Sequence, residues 1–178
     1  TPSQLFEMWL GDNEYLKSVS FHYKTRKHLS LDVIEKIQAM RNVQALDQNF
    51  RTFVLALFDL KVHLNPKGNI LSIRDKILKD YGYFKISKTS LWPASFSHIF
   101  GGYDVGYYGY MWALVYSYDI FSHFKKEGIM NKKVGMEFKR KILEKGDSED
   151  PIKLMTDFLG RKPNNNAFLE ALNEASTD

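Results

Sequence analysis

Apolar residues recur every three or four positions along most of this chain, and no segment alternates as a β-strand does. Val33, Ile34 and Ile37 illustrate the spacing, which places their side chains on one face of a helix. Residues that favour helix ends flank these segments, as where Asp150 precedes Pro151 at a predicted first turn. The chain of 178 residues is therefore predicted to be all-α.

The positions of capping and breaking residues divide this pattern into separate segments. Asp12 or Asn13 is predicted to cap the second helix, and the run 65–69, which contains Pro66 and Gly68, is predicted to separate two later helices. The polar tail 173–178 is predicted to be frayed. The predicted helices cover residues 3–10, 13–19, 31–46, 50–60, 70–81, 111–127, 136–143, 151–159 and 167–172.

Composition excludes several classes of site and partner. The absence of cysteine rules out disulfides, thiolate zinc sites and a cysteine nucleophile. The longest near-apolar run, 53–60, is far too short to span a bilayer, so no membrane partner is predicted. A nucleic-acid site would combine basic residues with aromatic platforms, whereas glutamates dilute the cluster of lysines and arginines between 125 and 145, which favours a solvated face. A nucleic-acid binder would instead show steeply salt-dependent affinity.

Residues 83–110 break the helical pattern and are predicted to form one long loop. Four glycines crowd residues 101–109, where they cost conformational entropy that a merely structural loop rarely needs. His98 and several tyrosines add hydrogen-bond donors, and neutral or cationic donors aimed at one point suit a developing oxyanion. The alternative is that the tyrosines form an interface or the edge of a core, and that the glycines form turns.

Short motifs follow one another in order over almost the whole chain. The two central ones are Phe96-Ser97-His98-Ile99-Phe100-Gly101-Gly102-Tyr103-Asp104 and Gly106-Tyr107-Tyr108-Gly109-Tyr110 with Trp112. The others are Pro2-Ser3-Gln4-Leu5-Phe6-Glu7, Phe58-Asp59-Leu60, Gly128-Ile129, Gly146-Asp147-Ser148-Glu149-Asp150 and Phe158-Leu159-Gly160-Arg161. In order and spacing these motifs resemble the thimet oligopeptidase, neurolysin and saccharolysin family of zinc oligopeptidases, which more usually has glycine in place of Ser97.

The resemblance implies a helical metallopeptidase whose deep channel admits short peptides and excludes folded proteins. By the same resemblance, three residues face the scissile bond and are catalytic: His98, Tyr103 and Tyr110. The substrate-binding residues predicted beside them are Tyr107, Gly101 and Gly102. The glycines would let the loop close over a bound peptide.

The resemblance also implies a zinc ion held by H-E-x-x-H and by a Glu on a second helix. No two of the five histidines are four residues apart, so this chain is predicted to hold no metal ligand. The family's third ligand falls immediately before the Pro-Ser-Gln segment, which would place it just ahead of Thr1.

The chain is accordingly predicted to be the C-terminal part of such a catalytic domain. Residues 1–82 would be helices that follow the metal site, 83–110 the active-site loop, and 111–172 the C-terminal helices. Its predicted partners are short peptides and the missing N-terminal part, without which it would be inactive. A cytoplasmic location is predicted, with mitochondria as the alternative. The competing hypothesis is a helical module that binds peptides without cutting them.

Overall fold

The computed structural model describes residues 2–82, 87 and 89–177, and within them the chain is helical with no strand, which confirms the all-α prediction. One short 3₁₀ turn follows α1 and another follows α5, at Met8–Gly11 and Ser97–Phe100. None of the described helices combines the length and the apolar character that crossing a membrane requires. The helices are α1 (Pro2–Glu7), α2 (Asn13–Val19), α3 (Leu31–Leu64), α4 (Ile70–Tyr81), α5 (Trp92–Ser95), α6 (Gly109–Glu127), α7 (Lys132–Phe138), α8 (Pro151–Leu159) and α9 (Asn166–Thr177).

Capping side chains set several helix ends where the sequence predicts them. The Asp12 carboxylate accepts the backbone N–H of Tyr15 at 2.8 Å and opens α2. Asp150 opens α8 by accepting the N–H of Ile152, also at 2.8 Å. Gly160 ends α8 with a φ of 70°, in the left-handed region that glycine enters without steric cost.

Other predicted boundaries are wrong. The helices predicted over 31–46 and 50–60 are one helix, α3, of 34 residues. The polar residues 47–49 between them interrupt only the apolar pattern, because they include neither proline nor glycine and so leave the backbone helical. The helix predicted over 136–143 starts at Lys132, where Asn131 caps it, and continues as a π-helical turn, Lys139–Leu143. The predicted frayed tail belongs to α9 as far as Thr177.

The segment 83–110 is not a loop throughout. Residues 83–86 and 88 lie outside the described residues, and the rest contains α5, the Ser97–Phe100 turn and the start of α6 at Gly109. α5 begins with Trp92-Pro93, where proline's fixed φ suits a first helical turn and its missing N–H costs nothing. Among the described residues of this segment, the backbone is irregular at 87, 89–91, 96 and 101–108.

Two compact units form, each with its own core. The central unit comprises residues 46–112, and the terminal unit comprises 1–45 together with 113–178. Aromatic side chains dominate both cores, which is consistent with the large apolar area that each ring buries. The central core consists of Val54, Phe58, Ile77, Phe96 and Ile99. The terminal core consists of Leu5, Ile120, Phe121, Phe124, Val134, Phe138, Met155 and Phe158.

Two glycines of the terminal unit should respond oppositely to alanine. Gly160→Ala is expected to lower the free energy of unfolding by about 1 kcal/mol, because an L-residue at φ 70° is strained even though its Cβ would meet no atom within 4 Å. Gly135→Ala within α7 should raise it by about 0.5 kcal/mol, since its Cβ also has open space and its backbone is helical. Urea unfolding of both variants checks this, and equal shifts would contradict it.

Candidate active site

Four rings from the Gly/Tyr segment meet in the central unit. The His98 ring centroid lies 5.9 Å from that of Tyr103, 5.2 Å from Tyr107 and 6.0 Å from Tyr110. Tyr103 and Tyr110 stack at 5.4 Å with an interplanar angle of 15°, and the Tyr107 ring lies 5.0 Å from that of Tyr110. We call these four residues the ring cluster. All three residues predicted to be catalytic belong to it, as does Tyr107.

Buried neighbours position His98 and Tyr107. His98 occupies the Ser97–Phe100 turn between Phe96 and Ile99, both of which are buried in the central core. The Phe96 ring contacts the His98 ring at 5.6 Å and the Tyr107 ring at 4.9 Å. The apolar core therefore supports one side of the ring cluster, while Tyr110 enters from the first turn of α6.

The ring cluster is open to solvent, and the pKa values of two of its phenols are raised. The Tyr103 side chain is 49% exposed, and His98, Tyr107 and Tyr110 are half-buried. Burial raises the pKa of Tyr110, and a hydrogen bond to Tyr103 raises it further. Burial also raises the pKa of Tyr107. Both hydroxyls therefore stay protonated at neutral pH and remain available as donors.

Gly101 and Gly102 shape the turn that follows His98. A Cβ at Gly101 would lie 3.0 Å from the Ser97 carbonyl oxygen, and Gly102 has a φ of 86°. Both positions therefore need glycine for backbone reasons, as the structural alternative for this segment proposed. Their predicted contact with substrate stays a prediction.

Asp59 of α3 contributes to this site in a way that the sequence analysis did not anticipate. Its side chain is fully buried and accepts the backbone N–H of Val105 at 3.0 Å and that of Tyr107 at 3.1 Å. The available signal was a carboxylate within an otherwise apolar stretch, 53–60, since burying a charge is costly unless hydrogen bonds compensate it. The partners, 46 and 48 residues away, could not be read from the sequence.

The described residues do not fit the zinc ion that the family resemblance implies. Within residues 2–82, 87 and 89–177, no group of three or more His, Asp or Glu side chains is placed to hold a metal ion. Zinc prefers three or four such ligands in tetrahedral geometry. We therefore assign no metal ligand among the described residues and derive no chemical step through a metal.

Comparisons with known proteins agree with the resemblance. Residues 1–174 match Peptidase family M3. The chain is 38% identical over 174 residues to oligopeptidase A of Salmonella typhimurium, a match that covers 95% of this chain and 26% of that protein. It is 35% identical to the thimet-like oligopeptidase of Dictyostelium discoideum over 176 residues, covering 96% and 26%.

A third relative is saccharolysin of Saccharomyces cerevisiae, 32% identical over 176 residues, which covers 96% of this chain and 25% of that protein. The chain thus spans about a quarter of the length of the curated relatives that it matches. The family match extends over nearly every residue of the chain. The chain therefore belongs to peptidase family M3.

Proposed function

We propose that this chain is part of a metallopeptidase that hydrolyses short peptides, and that it supplies residues which bind substrate and stabilise the transition state. Family membership supports peptidase activity, and the three relatives described above are named as oligopeptidases or as saccharolysin. The observation that carries the proposal is the convergence of one imidazole and three phenols on a solvent-open site.

The proposed catalytic role belongs to His98, Tyr103 and Tyr110. When a nucleophile attacks a peptide carbonyl, negative charge grows on the carbonyl oxygen, and donors already in place stabilise that charge. The stacked phenols of Tyr103 and Tyr110 share a hydrogen bond, so their hydroxyls lie close enough to act on one oxygen. Imidazole from His98 adds a third donor beside them.

The proposed substrate-binding role belongs to Tyr107, Gly101 and Gly102. Tyr107 joins the ring cluster beside His98, so a peptide that reaches the catalytic donors would pass close to its ring. The exposed backbone of the two glycines lets a peptide main chain approach closely, because no side chain intervenes. In the proposed organisation, 83–110 is the active-site segment between helices 1–82 and 111–172.

We propose that the metal ligands lie in a part of the protein outside this sequence, and that the chain alone does not hydrolyse peptides. The proposed partners are short peptides and that further part of the protein. We propose the cytoplasm as its location, with mitochondria as the alternative.

Peptide hydrolysis by the complete protein tests this proposal. We expect cleavage of short unstructured peptides, followed by chromatography and mass spectrometry, and no cleavage of a stably folded protein. A chelator should abolish cleavage, and the chain expressed alone should show none. Peptide binding without cleavage by the complete protein would favour the non-catalytic binding module, and chelator-resistant activity of the chain alone would contradict the proposal.

A further inference from the structure

We propose that Asp59 is a positioning residue, one that holds the backbone of residues 105–107 so that Tyr107 sits correctly within the ring cluster. The inference rests on the function proposed above. Asp59 acts on the ring cluster through two hydrogen bonds from the main chain of residues 105–107, rather than through one of the rings. Each carboxylate oxygen binds one N–H: Oδ1 accepts from Val105 and Oδ2 from Tyr107.

Val105 has a backbone conformation that its own side chain disfavours, which is the strongest evidence that surrounding contacts hold this segment in place. Its φ is 60°, in the left-handed region that β-branched residues rarely adopt. Strained backbone of this kind persists only where surrounding contacts determine it, and it concentrates at functional sites. The Asp59 hydrogen bond reaches the N–H of this same residue. The carboxylate therefore stabilises a backbone conformation that valine would otherwise leave.

The position of Tyr107 follows from this conformation. Its N–H is fixed by Asp59, and its ring lies between Phe96, His98 and Tyr110 at centroid distances of 4.9, 5.2 and 5.0 Å. A shift of the backbone would therefore move the phenol relative to the imidazole. Misplacement by about 1 Å near a reacting group can lower a rate about 100-fold.

Asp59 is itself held firmly on α3. Its side chain is fully buried, and His63, one turn further along the helix, contacts the same Oδ1 atom that accepts the Val105 N–H. The His63 Nδ1 atom lies 2.8 Å from the Asp59 carbonyl oxygen and 3.0 Å from Oδ1. A carboxylate suits this place because it offers two acceptor oxygens, whereas an asparagine side chain offers one acceptor and one donor. Asp59→Asn keeps the size of the side chain but turns a donor toward one of the two N–H groups.

The matched control is Asp119 in the terminal unit. It is equally buried, and it also accepts a distant backbone N–H, that of Asn164 at 2.8 Å, but it has no part in the ring cluster. Both Asp59→Asn and Asp119→Asn should lower the Tm of the complete protein, since each leaves buried donors without a full set of acceptors. Only Asp59→Asn should lower kcat and accelerate the amide hydrogen exchange of residues 105–107.

The experiment compares the two variants of the complete protein in peptide hydrolysis and in hydrogen exchange. We expect Asp59→Asn to lower kcat for a short peptide about 10- to 100-fold with a small change in KM, and to accelerate amide exchange in residues 105–107. Adding Val105→Gly to Asp59→Asn should restore part of kcat, because glycine adopts this φ freely. Equal effects of Asp59→Asn and Asp119→Asn on kcat, or no rescue by glycine, would overturn the inference.

Two outcomes separate this inference from the proposed function. If the wild-type protein cleaves no peptide, the proposed function fails, while hydrogen exchange at residues 105–107 still decides whether Asp59 holds them. If the Asp59→Asn variant does not fold, amide hydrogen exchange in the wild-type protein tests the inference instead. Slow hydrogen exchange of the Val105 and Tyr107 amides supports the inference that Asp59 holds them. Exchange as fast as that of an unprotected turn overturns it.

Discussion

Replacing Tyr110 with phenylalanine is expected to lower kcat of the complete peptidase by a factor of about 10² to 10³, with little change in KM. The variant keeps the ring, so stacking on Tyr103 and the edge contact with His98 remain. It removes only the hydroxyl, which we propose donates to the carbonyl oxygen as negative charge develops there. An interaction made mainly in the transition state appears in kcat, whereas loss of simple substrate binding appears in KM.

The pH dependence of this variant gives a second readout. The folded-state pKa of Tyr110 is raised above the ordinary value of 10.0, so the hydroxyl remains a donor below that pH and is lost only as the pH rises through the raised pKa. The ratio of wild-type to Tyr110→Phe kcat should therefore stay constant from about pH 6 to about pH 9. It should fall only at higher pH, where the wild-type protein loses the same donor.

Tyr108→Phe is the matched control for Tyr110→Phe. Tyr108 lies two residues earlier in the same segment and is 45% exposed, and we assign it no role in catalysis. Its variant should retain kcat within about twofold, since surface substitutions away from special contacts have small effects. Steady-state kinetics with one fluorogenic peptide measures both variants. Similar kcat values for Tyr108→Phe and Tyr110→Phe would exclude the proposed role of the Tyr110 hydroxyl.

Local chemistry explains which parts of the fold were predictable. The ends of α2 and α8 were predicted correctly because Asp12, Asp150 and Gly160 act on backbone groups within four residues of themselves. The continuity of α3 through 47–49 was missed because a gap in the apolar pattern resembles a helix end. Apolar periodicity reports which face is buried, whereas the backbone stops only where its own conformation or hydrogen bonding changes.

The same distinction applies to the candidate site. His98, Tyr103, Tyr107 and Tyr110 were predicted together because they lie within thirteen residues of one another and share a recognisable pattern. Asp59 was missed as part of the site because its two partners come from far along the chain. A buried carboxylate requires partners, but the sequence alone does not say which ones. Asp119 presents the same difficulty in the terminal unit, where its partners are 42 and 45 residues away.

Asp119→Ala is expected to lower the free energy of unfolding by about 2 kcal/mol, more than either glycine substitution considered above. The Asp119 carboxylate is 1% exposed and accepts from Arg161 Nη1 at 2.9 Å and from the Asn164 N–H at 2.8 Å. Alanine removes both oxygens, so the Asn164 N–H loses its acceptor and Arg161 Nη1 keeps only the Lys162 carbonyl oxygen, at 3.1 Å. The hydrogen bond to Asp119 is also the main cause that raises the pKa of Arg161.

The two partners of Asp119, Arg161 and Asn164, contribute unequally to the loss of stability expected for Asp119→Ala. The Arg161 side chain is 44% exposed, so water compensates much of its loss, and the ion pair by itself stabilises the fold only modestly. The partly buried backbone N–H of Asn164 is less able to bond to water instead. Its hydrogen bond to Asp119 also fixes the segment between α8 and α9. Asp157→Ala, at an exposed position of α8, should shift stability by less than about 0.5 kcal/mol. Urea unfolding compares the stabilities of Asp119→Ala and Asp157→Ala, provided that the m-values are equal. A decrease of less than about 1 kcal/mol in the free energy of unfolding of Asp119→Ala would mean that water replaces the carboxylate for both of its partners.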